Sequence, residues 1–149
     1  MLAEQLSGFG FSGSLSLTDS AIAIPGVVGG VVSNHVSLPG LSKTVWQATL
    51  YYERRGFSAR IATRYRSNYV GEIEAFGDAR ALQYVRHEQL TDFQTGFEFG
   101  DGMLKGVSLV FQVNNLTNAP YMDYSGTEAR VIDYATYGRV FFLGAKLKL

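Results

Sequence analysis

Cysteine is missing from all 149 residues, which excludes disulfides and thiolate metal sites together and leaves the redox compartment open. Net charge is missing too: 13 basic side chains balance 13 acidic ones, so nothing draws the chain towards nucleic acid. No stretch approaches the ~20 continuous apolar residues of a membrane helix. The nearest, AIAIPGVVGGVV at 21–32, is broken by Pro25, Gly26, Gly29 and Gly30 and reads as a loop. The opening MLAEQLSGFG has neither the basic n-region nor the apolar h-region of a signal peptide. Proline is scarce, with 3 residues against 17 glycines, so few points forbid a strand ladder.

Aromatic residues are plentiful: 9 Tyr and 10 Phe, which with the glycines favour strands and turns over helices. The length suits one domain. Six stretches alternate apolar and polar residues, as a strand with two unlike faces requires. They are 8–18, 43–53, 57–67, 90–99, 107–114 and the closing YGRVFFLGAKLKL at 137–149. In the last, Phe141, Leu143, Ala145, Leu147 and Leu149 share one face, and Phe142, Gly144, Lys146 and Lys148 the other.

The connections alternate as well. Arg54-Arg55-Gly56 and GDGMLKG at 100–106 are short, glycine-bearing hairpins, whereas 19–42, 69–89 and 115–136 are long loops. Short turns at one end and long loops at the other are the asymmetry of a membrane barrel. Ordinary soluble domains rarely carry several structureless loops above ~12–15 residues. In 57–67, Arg60, Arg64 and Arg66 fall together, opposite an uncharged set of Phe57, Ala59, Ile61 and Tyr65. An arginine facing lipid at mid-membrane costs ~2–4 kcal/mol, so the arginines are expected to face the lumen. The expected fold class is all-β: an antiparallel transmembrane β-barrel fragment of about six strands with alternating short turns and long loops.

Three stretches carry a family likeness. Gly144-x-x-Leu147-x-Leu149 resembles the closing-strand signal of bacterial outer-membrane barrels, with Leu149 where an aromatic residue is usual. VNNLTNAPY at 113–121, followed by Tyr137-Gly138-Arg139, resembles the "N-L-x-[ND]-x-x-Y" turn and "G-R" entry that end TonB-dependent outer-membrane receptors. LPGLS at 38–42, followed by WQATLYYERRGFSARIATRYRSNYVG, resembles the "LPG…N…YYE…GF…R…YR" run of the same barrels, with no Asn between LPG and YYE here, and especially the branch found alongside glycan-use genes. The likeness covers about 8–149. It implies that 1–149 is the C-terminal part of such a barrel, with the plug domain and signal peptide absent, in the outer membrane of a Gram-negative bacterium. The implied activity is ligand uptake, glycan ahead of siderophore, without enzyme chemistry. The implied partners are outer-membrane lipid, the remainder of barrel and plug, TonB through that plug, and the barrel assembly machinery through Gly144, Leu147 and Leu149.

No catalytic constellation stands out, and no cofactor is expected. His35 and His87 lie in different loops without metal-ligand spacing, and Glu72, Glu74, Asp78 and Glu88 are interspersed with Arg80 and Arg86 as in a solvated loop. Gly100-x-Gly102 lacks the following helix of a phosphate loop. The loop aromatics Tyr69, Phe76, Tyr84, Tyr124 and Tyr134 are the candidate ligand contacts, by stacking on sugar rings or an aromatic siderophore, with an interfacial girdle as the other reading. Two rivals remain: a soluble β-sandwich carbohydrate-binding module, and a complete small outer-membrane barrel, which would need at least about eight strands.

Overall fold

The computed structural model describes residues 7–23, 27–28, 35–76 and 79–148, with the backbone alone at 27–28, 74–76 and 79–80. Most of 21–32, expected as a loop, and the final Leu149 lie outside the described residues. Six long strands make up the main sheet: β1 (Phe9–Leu17), β3 (Thr44–Arg54), β4 (Phe57–Arg66), β7 (Glu88–Glu98), β8 (Val107–Asn114) and β11 (Val140–Leu147). All five pairings are antiparallel, in the order β1-β3-β4-β7-β8-β11. The fold is all-β, and the sheet is open, with β1 and β11 at its edges.

Each strand alone would tolerate a shift of two residues without moving its apolar set to the other face. The register nevertheless lines all six sets up. One continuous row runs Phe11, Leu50, Ile61, Phe93, Val113, Phe141, each opposite the next. The neighbouring row on the opposite face runs Tyr51, Arg60, Gln94, Gln112, Phe142. Arg54, at the hairpin end of β3, is the one charged residue on the apolar face; the acids and bases otherwise share the polar face.

That apolar face has no second layer over it among the described residues. Leu143 is 83% exposed, and Phe9, Phe11, Leu15 and Phe141 are exposed as well. Three threonines on it direct their hydroxyls into the sheet: Thr63 and Thr91 bond each other, and Thr95 donates to the Ser58 carbonyl at 3.0 Å. Aromatics with a polar tip lie towards its two ends. Tyr52 contacts Phe9 near the short turns, and Trp46 stacks on Tyr65 at 5.6 Å near the long connections. The six residue steps from Trp46 to Tyr52 span about 20 Å of strand.

The long connections differ from expectation. Instead of plain loops, they build a second sheet from β2 (Val27–Val28), β5 (Tyr69–Phe76), β6 (Ala79–Val85), β9 (Tyr121–Ser125) and β10 (Val131–Ala135). β5 and β6 form a hairpin, β6 pairs with β9 and β9 with β10, all antiparallel, while β2 joins β6 in parallel. Here lies the buried cluster: Val36 and Val70, with Ile22, Ile73, Leu82 and Tyr84 against them. A register shift between Val70 and Glu72 lets Val70 and Ile73 serve the same cluster from an odd spacing.

The short turns follow their residues. Arg55 and Gly56 both have positive φ (49° and 82°), the two-residue hairpin geometry that matches strand twist. Gly56 has a second duty: its carbonyl accepts the Glu98 N–H at 2.8 Å, and a Cβ there would collide with the Glu98 carbonyl oxygen. Gly8 against Glu53 and Gly106 against Lys148 repeat the arrangement at the same end of the sheet.

Candidate functional site

Where β4 passes into β5, the chain leaves one sheet for the other, and a cleft of about 470 Å³ opens at the junction. Tyr69, Tyr84 and Tyr124 line it with Val70 and Leu41. Polar groups come from Lys43, Thr44, Ser67 and Asn68. β5, β6 and β9 deliver the three tyrosines, and Tyr84 stands directly opposite Tyr124 in the ladder. Their rings stack at 5.6 Å and 18°.

Asn68 orders this corner. Its Nδ2 donates to the Tyr124 hydroxyl at 3.2 Å, and its Oδ1 accepts the His87 N–H at 2.7 Å. Burial pushes the Tyr124 phenol above its ordinary 10.0, and the hydrogen bond from Asn68 opposes that rise. Burial likewise raises the Tyr121 phenol, with the carboxylate of Asp123 adding to it. Both stay neutral, hydrogen-bonding phenols at physiological pH. The cleft therefore offers aromatic surface, hydroxyls, an amide and one ammonium.

Of the five aromatics expected to meet a ligand, three converge. Tyr134 does not: it stands on β10 opposite Met122, 57% exposed and outside the cleft. Phe76 closes β5, with its backbone alone described. Asn68 and Lys43 were absent from the sequence-derived set. A repeated aromatic is conspicuous in a sequence, whereas a lone Asn between two strands looks like any turn residue.

The three arginines of β4 lie on the polar face in different surroundings. Arg64 pairs with Asp92 at 3.3 Å. Arg66 sits 3.8 Å over the Tyr69 ring, and donates to Ser42 Oγ at 3.1 Å and the Gly40 carbonyl at 3.0 Å. It thereby ties the LPG segment to the cleft. Arg60 has neither an ion pair nor a side-chain hydrogen bond among the described residues. It borders a shallow depression of about 390 Å³ with Tyr51, Glu53 and Gln94.

The Asn-rich turn is closed chiefly by one side chain. Asn115, at φ 53°, accepts the Ala119 N–H at 2.8 Å and donates to the carbonyls of Ala119 and Gly138 at 3.3 and 3.1 Å. Its own N–H goes to Asp92, the partner of Arg64. Asn114 instead accepts from Gln112 along the strand. Arg139 Nε caps the Leu116 carbonyl at 2.7 Å, which joins the turn to the entry of β11.

Among the described residues, no three His, Asp or Glu side chains converge so as to hold a metal ion. No helix is long and apolar enough to cross a membrane, a statement that does not concern strands. Comparison with protein-family models, curated proteins and solved structures returns no match.

Proposed function

We propose that the chain is a C-terminal wall segment of a TonB-dependent outer-membrane receptor, which takes a ligand across the outer membrane. The observation that carries this reading is the apolar face of the main sheet. It runs across six strands, bears charge only at Arg54 and is exposed over most of its extent, Val113 and Thr91 near the long connections being buried. A face so large and bare is a contact surface, and lipid is the occupant that fits its pattern. The hydroxyls of Thr63, Thr91 and Thr95 on it are satisfied within the sheet, as a medium without water demands. Its Tyr and Trp lie towards the two ends, and the ~20 Å between Trp46 and Tyr52 suits an apolar band ~25 Å tall.

The polar face then lines a lumen, with Arg60, Arg64 and Arg66 on it, and the second sheet stands outside the membrane. Ligand contact falls to the cleft of Tyr69, Tyr84 and Tyr124, with Phe76 and Tyr134 nearby in sequence. Neutral phenols beside hydroxyls and an amide suit a glycan, and the sequence likeness points the same way. The receptor identity rests on that likeness; the membrane reading rests on the face.

The chain's single tryptophan makes the test direct. In phospholipid vesicles with brominated acyl chains, Trp46 emission should move to shorter wavelength and be quenched. A soluble sandwich would leave the bromines without effect, and that result would sink the membrane reading. For the ligand, Tyr69→Ala should lower glycan binding at least several-fold by equilibrium titration, leaving the β-sheet circular dichroism intact. Unchanged binding would remove the cleft from the ligand path.

A further inference from the structure

The two short hairpins solve the same problem at different lengths. β3 and β4 are joined by Arg55 and Gly56 alone, whereas β7 and β8 use the eight residues from Phe99 to Gly106. The tip of the longer turn adds little packing. Gly100 and Gly102 have open space where a Cβ would stand, and the short 3-10 turn (Gly102–Leu104) buries no residue. At its tip Met103 is fully exposed, and Leu104 beside it is 51% exposed. Lys105 follows, with no acid within ion-pair distance among the described residues.

The tip is not isolated. β7 reaches it through Phe97 and Phe99, whose rings meet edge-on at 4.8 Å, and β8 leaves it through Val107 and Leu109. Phe97, Val107 and Leu109 belong to the apolar face. Met103 and Leu104 thus stand exposed just beyond the last ladder bond of these two strands, with the cation next to them.

We propose that this hairpin tip is a lipid anchor. Met103 and Leu104 enter the boundary between acyl chains and headgroups of the leaflet at the short-turn end, and Lys105 meets a lipid phosphate. Apolar residues beside a lysine are the composition of segments that lie in this interface, and flexible methionine adapts to a fluid partner. The proposal rests on the membrane reading of the main sheet. It adds that this one turn, unlike Arg55-Gly56, holds the wall at a fixed depth.

Two single-tryptophan proteins separate the questions. The natural chain reports the main sheet through Trp46. In the second, Trp46→Phe removes that signal and Met103→Trp moves it to the tip, where no neighbour constrains the side chain. Both are placed in phosphatidylglycerol-containing vesicles with bromines at graded depth along the acyl chain. The expected result is a blue shift at the tip and strongest quenching by the shallowest bromines, lost progressively when Lys105→Glu is added. Leu104→Trp serves as a second reporter and should behave alike. Quenching of Trp46 with an unshifted, unquenched tip would overturn the anchor and leave the membrane reading standing. A tip shielded from aqueous iodide but untouched by bromine would assign it to a protein partner, and would likewise overturn the anchor. No quenching at either position would overturn both.

Discussion

The two sheets stabilise themselves in opposite ways. The second sheet gathers apolar side chains inward, so that Val70 is 3% exposed and Val36, Ile22, Ile73, Leu82 and Tyr84 close around it. The main sheet has longer ladders and far more apolar surface, yet turns it outward, and Leu143 at its edge strand is 83% exposed. Burial within the protein explains the first arrangement and leaves the second unexplained in water. At ~25 cal/mol per Å² of apolar area, a bare face of this kind forfeits much of what normally offsets chain entropy. On the membrane reading proposed above, lipid supplies what a second protein layer supplies elsewhere.

Substitutions can break or sharpen that contrast. The largest effect is expected at Leu143→Arg in a lipid bilayer, where a charge on the outward face costs ~2–4 kcal/mol near mid-membrane. Phe142→Arg, one residue away on the polar face, should cost far less. The check is denaturant unfolding in vesicles, with arginine then moved along Leu143, Ala145 and Leu147, where the penalty should shrink towards the interface. A penalty independent of position would contradict a lipid-facing sheet.

Asn115→Ala attacks the joint between the regions. It removes three side-chain hydrogen bonds and puts alanine at φ 53°. At ~1 kcal/mol per bond the loss is about 2–3 kcal/mol, read as a lower unfolding midpoint. Asn115→Asp, which keeps the acceptor for Ala119 N–H, should recover part of it.

Val70→Ala should act on the second sheet alone. Two buried methyl groups amount to about 1–2 kcal/mol, and limited proteolysis should cut 69–85 sooner while the main sheet's lipid signals stay unchanged. The smallest effect concerns alkali. Because burial holds the Tyr124 phenol above 10.0, its contribution is whole below pH 10 and is lost as pH rises through the higher folded value. Ultraviolet titration should show Tyr124 ionising late, and Tyr124→Phe should make the second sheet less sensitive to alkali.

The same contrast explains what the sequence disclosed. Two unlike faces force a period of two, so β1, β3, β4, β7, β8 and β11 were legible to within a residue or two at most ends. The outward sets named from alternation, such as Phe141, Leu143, Ala145 and Leu147, are the sets that the register aligns. β5 escaped because the bulge after Val70 breaks its alternation. β9 does alternate, with Met122 and Tyr124 buried, but it is five residues long, and β10 is as short. Tyr69, Tyr84 and Tyr124 were recognisable as aromatics in long connections. Their convergence depends on pairings of β6 with both β5 and β9, which no local signal announces.

The glycines at the short-turn end have a consequence for assembly. β1 with β3, β4 with β7 and β8 with β11 are each joined through a long connection, so none of these seams has a tight turn to set its alignment. Each carries instead a slot at its far end: Gly8 against Glu53, Gly56 against Glu98, Gly106 against Lys148. The slot works as a thickness gauge. Sliding β4 by two residues along β7 would keep every apolar side chain outward, so hydrophobicity cannot reject the error. It would, however, carry Gly56 out of the slot and bring a residue with a Cβ towards the carbonyl that leaves no room for one. The gauge thus detects the misalignment to which the alternating pattern is blind, once per seam, at the ends farthest from the long connections.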